Sequence, residues 1–331
     1  MLRSKMTIWL LGILCAALLV TVVLVIIKGG NQELANGNGG YETSGDNYGF
    51  EDETDYRTIE EEGTELTYNP AIKNYLFLGV DKTIDTTQKG QVGAGGRSDC
   101  MILLVADSEN RTIHRVSISR DTMVDVAMYY QDGDYAGTDK MQITMQYSFG
   151  TGTTRSCYLT KKAVSKLLCG IPINGCIAMN IDGIGEVTEL VGGVEITIPK
   201  DYTAIHKDFA EGAILNLSGD IAETYVRYRD IETSGSNNDR MERQMHFLNE
   251  AASQIRDKIL ADDKLLDTIL NESGAYLYTD LYAEEMKELA GYKLLPDTIY
   301  LPGTDVAGEY HDEFYADDTK IYEIVKKVFY K

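Results

Sequence analysis

Arg97 and Asp99 stand just before an apolar run, Met101–Ala106, and Arg120 and Asp121 stand just after a second, Thr112–Ile118. The runs read as two strands joined by a polar connection, Asp-Ser-Glu-Asn, whose composition signals a turn. Antiparallel pairing would bring both charged pairs to one sheet edge, although they lie roughly twenty residues apart in sequence. Two cations and two carboxylates converging there suit a polyanion or a metal–phosphate site. The plainer alternative is a pair of solvated ion pairs at strand ends.

More arginines recur downstream. Ser218 is a candidate N-cap for a short helix reaching Val226. Arg227 and Arg229 follow it, one residue apart, and then comes a loop rich in Ser, Gly and Asn. Asp239 is expected to open another helix, with Arg240 and Arg243 on one face of its first turn. Cations at a helix N-terminus oppose the macrodipole at a cost of about 0.3–1 kcal/mol each. That placement makes sense where an anion is held between them.

These clusters must be positioned by an α/β scaffold. YLFLGV, beginning beside Asn74, is a short continuous apolar run of the kind that forms a strand covered on both faces, and it ends at Asp81. Asp139–Phe149 and Leu159–Cys169 have helical spacing, and Cys176–Ile181 reads as a strand. Asp182–Leu190 reads as a helix stopped by Gly192-Gly193, and Val194–Ile198 as a further strand. Helices are expected at Asp263–Leu270, Leu281–Leu289 and Thr319–Phe329, with a strand near Ile299–Leu301. Strands alternating with helices predict a three-layer α/β/α domain with a mixed central sheet.

The formal charge of −21 argues against a nucleic-acid binder, which would show a basic face. Met6–Ile27 carries no charge and has the length of a membrane-crossing helix. Arg3 and Lys5 precede it, so residues 1–28 read as a cytoplasmic N-terminus and transmembrane anchor with the rest outside the cell membrane. A cleaved signal peptide is the weaker rival: the run is long and no A-x-A site follows it. Residues 29–70 are acidic and rich in Gly and Asn, which predicts a disordered spacer. Residues 71–331 are then the extracytoplasmic folded domain. Cys100, Cys157, Cys169 and Cys176 show neither metal-ligand spacing nor C-x-x-C. A disulfide among the last three and plain burial both stay open.

The ordered set NYLFLGVD, GGRSDCMILL, RVSISRDTMVDV, DKMQITMQYSFG, GIPINGCIAMNIDG, ELVGGVEITIPKDY, LSGDIAETYVRYRD and DRMERQ resembles the LytR-CpsA-Psr family of cell-envelope proteins. The likeness is close over Asn74–Ile255 and looser to the end. It implies a membrane-anchored phosphotransferase that moves a glycopolymer from an undecaprenyl-pyrophosphate carrier to peptidoglycan through a phosphodiester, assisted by Mg²⁺, in a Gram-positive-type envelope. Carried onto this chain, Arg120, Arg227, Arg229, Arg240 and Arg243 meet the pyrophosphate, with Gln244 as a neutral donor. Asp81 and Asp99 are the implied Mg²⁺ ligands, and Arg97 orients Asp99 or adds a phosphate contact. Asp121 or Asp99 would take the proton of the attacking hydroxyl. Ser119, Asn237, Cys176, Glu223 and Thr224 depart from the family's usual residues. A non-enzymatic polymer-binding or attenuator-type surface protein and a lipid pyrophosphatase are the alternatives.

Overall fold

The computed structural model describes residues 56–331 apart from 62, 82–91, 93–94, 229–242 and short gaps between 244 and 310. The expected anchor, most of the spacer, the helix start at Asp239, and Arg229, Arg240 and Gln244 lie outside the described residues. No helix among the described residues is long and apolar enough to cross a membrane. The chain divides into two compact units. Of the described residues, the larger contains 56–179, Tyr278–Leu281 and Tyr292–Lys331, and the smaller contains those of Asn180–Leu277 and Tyr282–Gly291.

In chain order the strands begin with β1 (Thr58–Glu61), β2 (Thr64–Thr67), β3 (Ile72–Asp81), β4 (Arg97–Asp107) and β5 (Thr112–Ile118). Next come β6 (Met123–Tyr129), β7 (Tyr135–Gln142), β8 (Gly175–Asn180), β9 (Val194–Thr197) and β10 (Ile214–Leu217). The last are β11 (Leu277–Thr279), β12 (Lys293–Tyr300), β13 (Gly303–Ala307) and β14 (Asp312–Ala316).

The larger unit is organised by a sheet in the order β11-β8-β3-β4-β5-β12. β3 pairs antiparallel with β4, and β4 with β5, whereas β12 joins β5 in parallel. The sheet is therefore mixed. Leu76, Leu78, Met101, Leu103, Val105, Val116 and Ile118 alternate along three strands and form one core with two helices. Those helices, Thr154–Leu167 and Asp318–Phe329, contribute Ala163 and Val164, and Ile321, Val325 and Phe329. The intervening residues Tyr75, Phe77, Ile102 and Leu104 are buried as well. Burial on both sides explains why YLFLGV and CMILLVA are continuous apolar runs rather than alternating ones.

Three expectations differ from the fold. Asp139–Phe149 is not one helix: β7 ends at Gln142 and only Met145–Ser148 is helical. Residues 135–142 find their backbone partners in β6, across a turn where Gly133 adopts φ 95°. Helix Thr154–Leu167 starts before the expected Leu159 and stops before Cys169, which with Gly170 adopts positive φ. Finally, β1 and β2 pair antiparallel, although the sequence reading placed both in the spacer. Thr67 and Lys331 exchange backbone hydrogen bonds of 3.0 Å in both directions, and the Tyr330 hydroxyl donates to the Tyr56 carbonyl at 2.7 Å. This segment is ordered by pairing with the end of the chain, which its own composition does not reveal.

In the smaller unit, helices Gly183–Leu190 and Gly219–Arg227 pack on each other, and β9 and β10 form an antiparallel ribbon. Ser218 is the N-cap of the second helix by backbone conformation, with no side-chain capping bond. Tyr225 is fully buried and meets Tyr202, Phe209 and Phe247, with ring centroids 6.0, 5.3 and 6.4 Å away. This aromatic cluster fixes the end of the helix that carries Arg227.

Candidate active site

The β4–β5 register places Met101 opposite Ile118, so residues 99 and 120 leave the sheet at the same edge. Arg120 Nη1 donates to Asp99 Oδ2 at 2.7 Å, and Arg120 Nε reaches Asp121 Oδ1 at 3.4 Å. One guanidinium thus spans two carboxylates. The side chains of Arg120, Asp99 and Asp121 are 36%, 25% and 12% exposed, so Asp121 is the deepest of the three.

The surrounding backbone holds this arrangement. Ser119 closes the turn after β5: its carbonyl accepts from the Thr122 amide at 3.1 Å and the Thr122 hydroxyl at 2.6 Å. The Asp121 amide donates to the Ser119 hydroxyl at 3.3 Å. Ser119 therefore ties down the strand exit. The segment after β7 returns alongside this turn, with Ile143 donating to the Thr122 carbonyl at 2.7 Å and Thr144 to the Arg120 carbonyl at 3.2 Å. Its side chains complete the shell. Gln142 Nε2 donates to Asp121 Oδ1 at 2.6 Å and to the Asp312 carbonyl at 2.9 Å, and the Thr144 hydroxyl donates to Asp99 Oδ1 at 3.3 Å. Phe314 of β14 donates its amide to the Asp121 carbonyl at 2.8 Å.

Burial pushes the Asp99 carboxyl above its ordinary value; Arg120 pulls it back, the neighbouring Asp81 charge pushes it up, and Arg97 and the Thr144 hydroxyl lower it. Burial likewise raises Asp121 against the pull of Arg120, with Asp312 and Asp99 adding to the rise. Asp81 and Arg97 are register partners at the ends of β3 and β4, and both are exposed. Asp81, Arg97, Asp99, Arg120 and Asp121 thus belong to one sheet edge.

The arginines of the smaller unit take different positions. Arg227 pairs with Asp182, and its Nη1 lies 3.6 Å from Glu223 Oε2. Arg243 is only 2% exposed. Its Nε donates to the Tyr225 carbonyl at 2.8 Å, its Nη2 donates to the Tyr228 carbonyl, and its guanidinium lies 5.1 Å from the Tyr202 ring centroid. Those carbonyls belong to the C-terminal end of helix Gly219–Arg227, where a cation complements the dipole and occupies unpaired acceptors. Arg243, expected at the pyrophosphate, is placed as a clamp on the chain around Arg227. Sequence reasoning missed Gln142, Thr144, Asp182 and Glu223 as neighbours of the charged groups. Gln142, Ile143 and Thr144 are all buried and Thr144 has helical backbone conformation, so no strand alternation marked the first two.

Among the described residues, no group of three or more His, Cys, Asp or Glu side chains is gathered as for a metal ion. Asp81 and Asp99 are nonetheless oxygen donors close enough for one charge to raise the other's pKa. Magnesium takes one or two carboxylates together with phosphate oxygens, and this pair fits that requirement.

Comparison with known proteins agrees with the fold and the motif order. The model of the LytR_cpsA_psr family matches residues 43–326. A polyisoprenyl-teichoic acid–peptidoglycan teichoic acid transferase TagU of Halalkalibacterium halodurans is 29% identical over 65% of this chain and 62% of its own length. The transferase of the same description TagV of Bacillus subtilis is 31% identical over 53% of this chain and 41% of its own. The matches therefore span less than two thirds of these relatives. The crystal structure of B. subtilis TagV superposes with a TM-score of 0.50 at 25% identity, covering 78% of this chain and 97% of that one.

Two outcomes follow from the geometry. Removing the Asp81 charge by Asp81→Asn should lower the Asp99 pKa, so that Asp99 ionises at lower pH than in the wild type. Carboxyl-carbon NMR titration reads this directly, and an unchanged Asp99 midpoint would contradict the proximity. Arg243→Ala should cost about 2–4 kcal/mol in denaturant unfolding, because the buried Tyr225 carbonyl and the part-buried Tyr228 carbonyl lose a charged donor. A change within about 0.5 kcal/mol, the range of an ordinary surface substitution, would contradict the clamp.

Proposed function

The chain belongs to the LytR_cpsA_psr family, and on that premise we propose that it is a membrane-anchored phosphotransferase of the cell envelope. It takes a glycopolymer from an undecaprenyl-pyrophosphate carrier and joins it to peptidoglycan through a phosphodiester. The three-layer arrangement, the anchor at Met6–Ile27, the spacer and the extracytoplasmic placement of the folded domain are part of this reading. The observation that carries it is Arg120 held between Asp99 and Asp121 at the sheet edge. The names of the relatives, transferases of teichoic acid to peptidoglycan, favour the same reaction class.

In this reading the acceptor hydroxyl oxygen forms a bond to the phosphorus that bears the polymer. The bond from that phosphorus to the oxygen bridging it to the lipid phosphate breaks, and undecaprenyl phosphate leaves. Charge spreads over the phosphoryl oxygens, so positioning and fixed donors provide most of the acceleration. Arg120 supplies a planar fork whose orientation the two carboxylates fix in advance. Arg97, Arg227, Arg229, Arg240 and Gln244 are assigned to the diphosphate. Arg243 holds the backbone that presents Arg227. Asp99 and Asp121 have carboxyls raised by burial, which makes either a stronger base for the hydroxyl proton. Asp81 and Asp99 would hold magnesium, which when bound supplies charge neutralisation at the diphosphate.

The test supplies the full chain with a lipid-pyrophosphate saccharide, magnesium and glycan strands. Arg120→Ala should lose about 10²–10³-fold in transfer. Arg120→Lys should not restore it, because a point charge cannot span both carboxylates. Wild-type turnover in Arg120→Ala would reject the assignment.

A further inference from the structure

Arg227 is assigned to a diphosphate, yet its immediate neighbours are acids. Asp182, at the start of helix Gly183–Leu190, pairs with its Nη2, and Glu223, one turn earlier on its own helix, lies 3.6 Å from Nη1. The Arg227 side chain is 33% exposed, against 17% for Asp182 and 28% for Glu223. Arg227 and Glu223 both reach water, and Asp182 is the most buried of the three.

The packing makes room for Glu223. A Cβ on Gly185 would come within 2.5 Å of Glu223 Oε1, so a residue without a side chain there admits the carboxylate. The Glu223 carboxyl is raised, first by burial, opposed by Arg227, and raised further by Asp182 and Asp220. Two acids, Asp182 and Glu223, therefore flank one arginine, and Asp220 acts electrostatically on Glu223.

We propose that Asp182 and Glu223 form a carboxylate latch on Arg227, in which Asp182 orients the guanidinium and Glu223 competes with the incoming anion. This deepens the proposed reading, since it takes Arg227 to be an anion-binding residue. The two contacts differ in kind. Asp182 makes the close pair and keeps it, whereas Glu223 makes the longer one, which a phosphate oxygen replaces. Arg243 fixes the carbonyls of Tyr225 and Tyr228 on either side, so the head group of Arg227 moves against a stationary backbone. Glu223 then weakens ground-state binding of a polyanion and eases release of an anionic product. Glu223 is a specificity-setting residue and Asp182 a positioning residue.

The experiment measures binding of inorganic pyrophosphate to the full chain by calorimetry at neutral pH without magnesium. Glu223→Gln, which keeps the shape and removes the charge, should tighten binding roughly three- to tenfold. Glu223→Asp should restore weaker, wild-type-like binding, and Asp182→Asn should weaken binding. In the transfer assay Glu223→Gln should lower KM without raising kcat. Unchanged or weaker pyrophosphate binding in Glu223→Gln, with Arg227→Ala abolishing it, would overturn the latch and leave the role of Arg227 standing. Binding that Arg227→Ala does not alter, or no binding by the wild type, would overturn the anion role of Arg227 and the latch with it.

Discussion

The candidate site depends on one guanidinium being shared by two carboxylates at the end of a three-strand antiparallel core. Arg120 cannot reach both Asp99 and Asp121 unless β4 and β5 keep their register, because a slip of one residue turns every side chain to the opposite face. The register is in turn set by the buried rows of Leu, Ile, Val and Met that pack on helices Thr154–Leu167 and Asp318–Phe329. Core and site are thus one construction. The apolar sheet fixes the strands, the strands fix the turn at residues 119–122, and the turn fixes the charges.

That placement works against stability at neutral pH. Asp99 and Asp121 both have carboxyls raised chiefly by burial, despite the arginine between them. A raised folded-state pKa contributes stability below the unfolded value of about 3.9, and that contribution is lost as pH rises through the folded value. The ionised site is therefore held in place by the hydrogen bonds of Gln142, Thr144 and Ser119 and by the sheet beneath. Carboxylates kept partly dry and at an elevated pKa suit proton transfer and cation binding better than free ones.

Much of this was legible in the sequence because the signals were local. Apolar runs flanked by Asp81, by Arg97 and Asp99, and by Arg120 and Asp121 announced β3, β4, β5 and the charged edge, and the motif order announced the family. What was missed depended on contacts between distant segments. The helical spacing of Asp139–Phe149 concealed a strand, since only its pairing with β6 decides between the two. The order at β1 and β2 comes from Lys331 and Tyr330, far along the chain. Arg243 carried the same local signal as an anion-binding arginine, but its donors turn inward to the carbonyls of Tyr225 and Tyr228. Residue type identified the cations; only folding distinguishes one that faces solvent from one that holds a helix end.

The central proposal is that the Arg120 guanidinium, oriented by Asp99 and Asp121, holds a lipid diphosphate. Its most direct test is native mass spectrometry of the full chain extracted from membranes in mild detergent. The account expects a bound polyprenyl phosphate or pyrophosphate on the wild-type chain that is lost from Arg120→Ala. A wild-type chain without such a lipid, or an Arg120→Ala chain that retains it fully, would contradict the account.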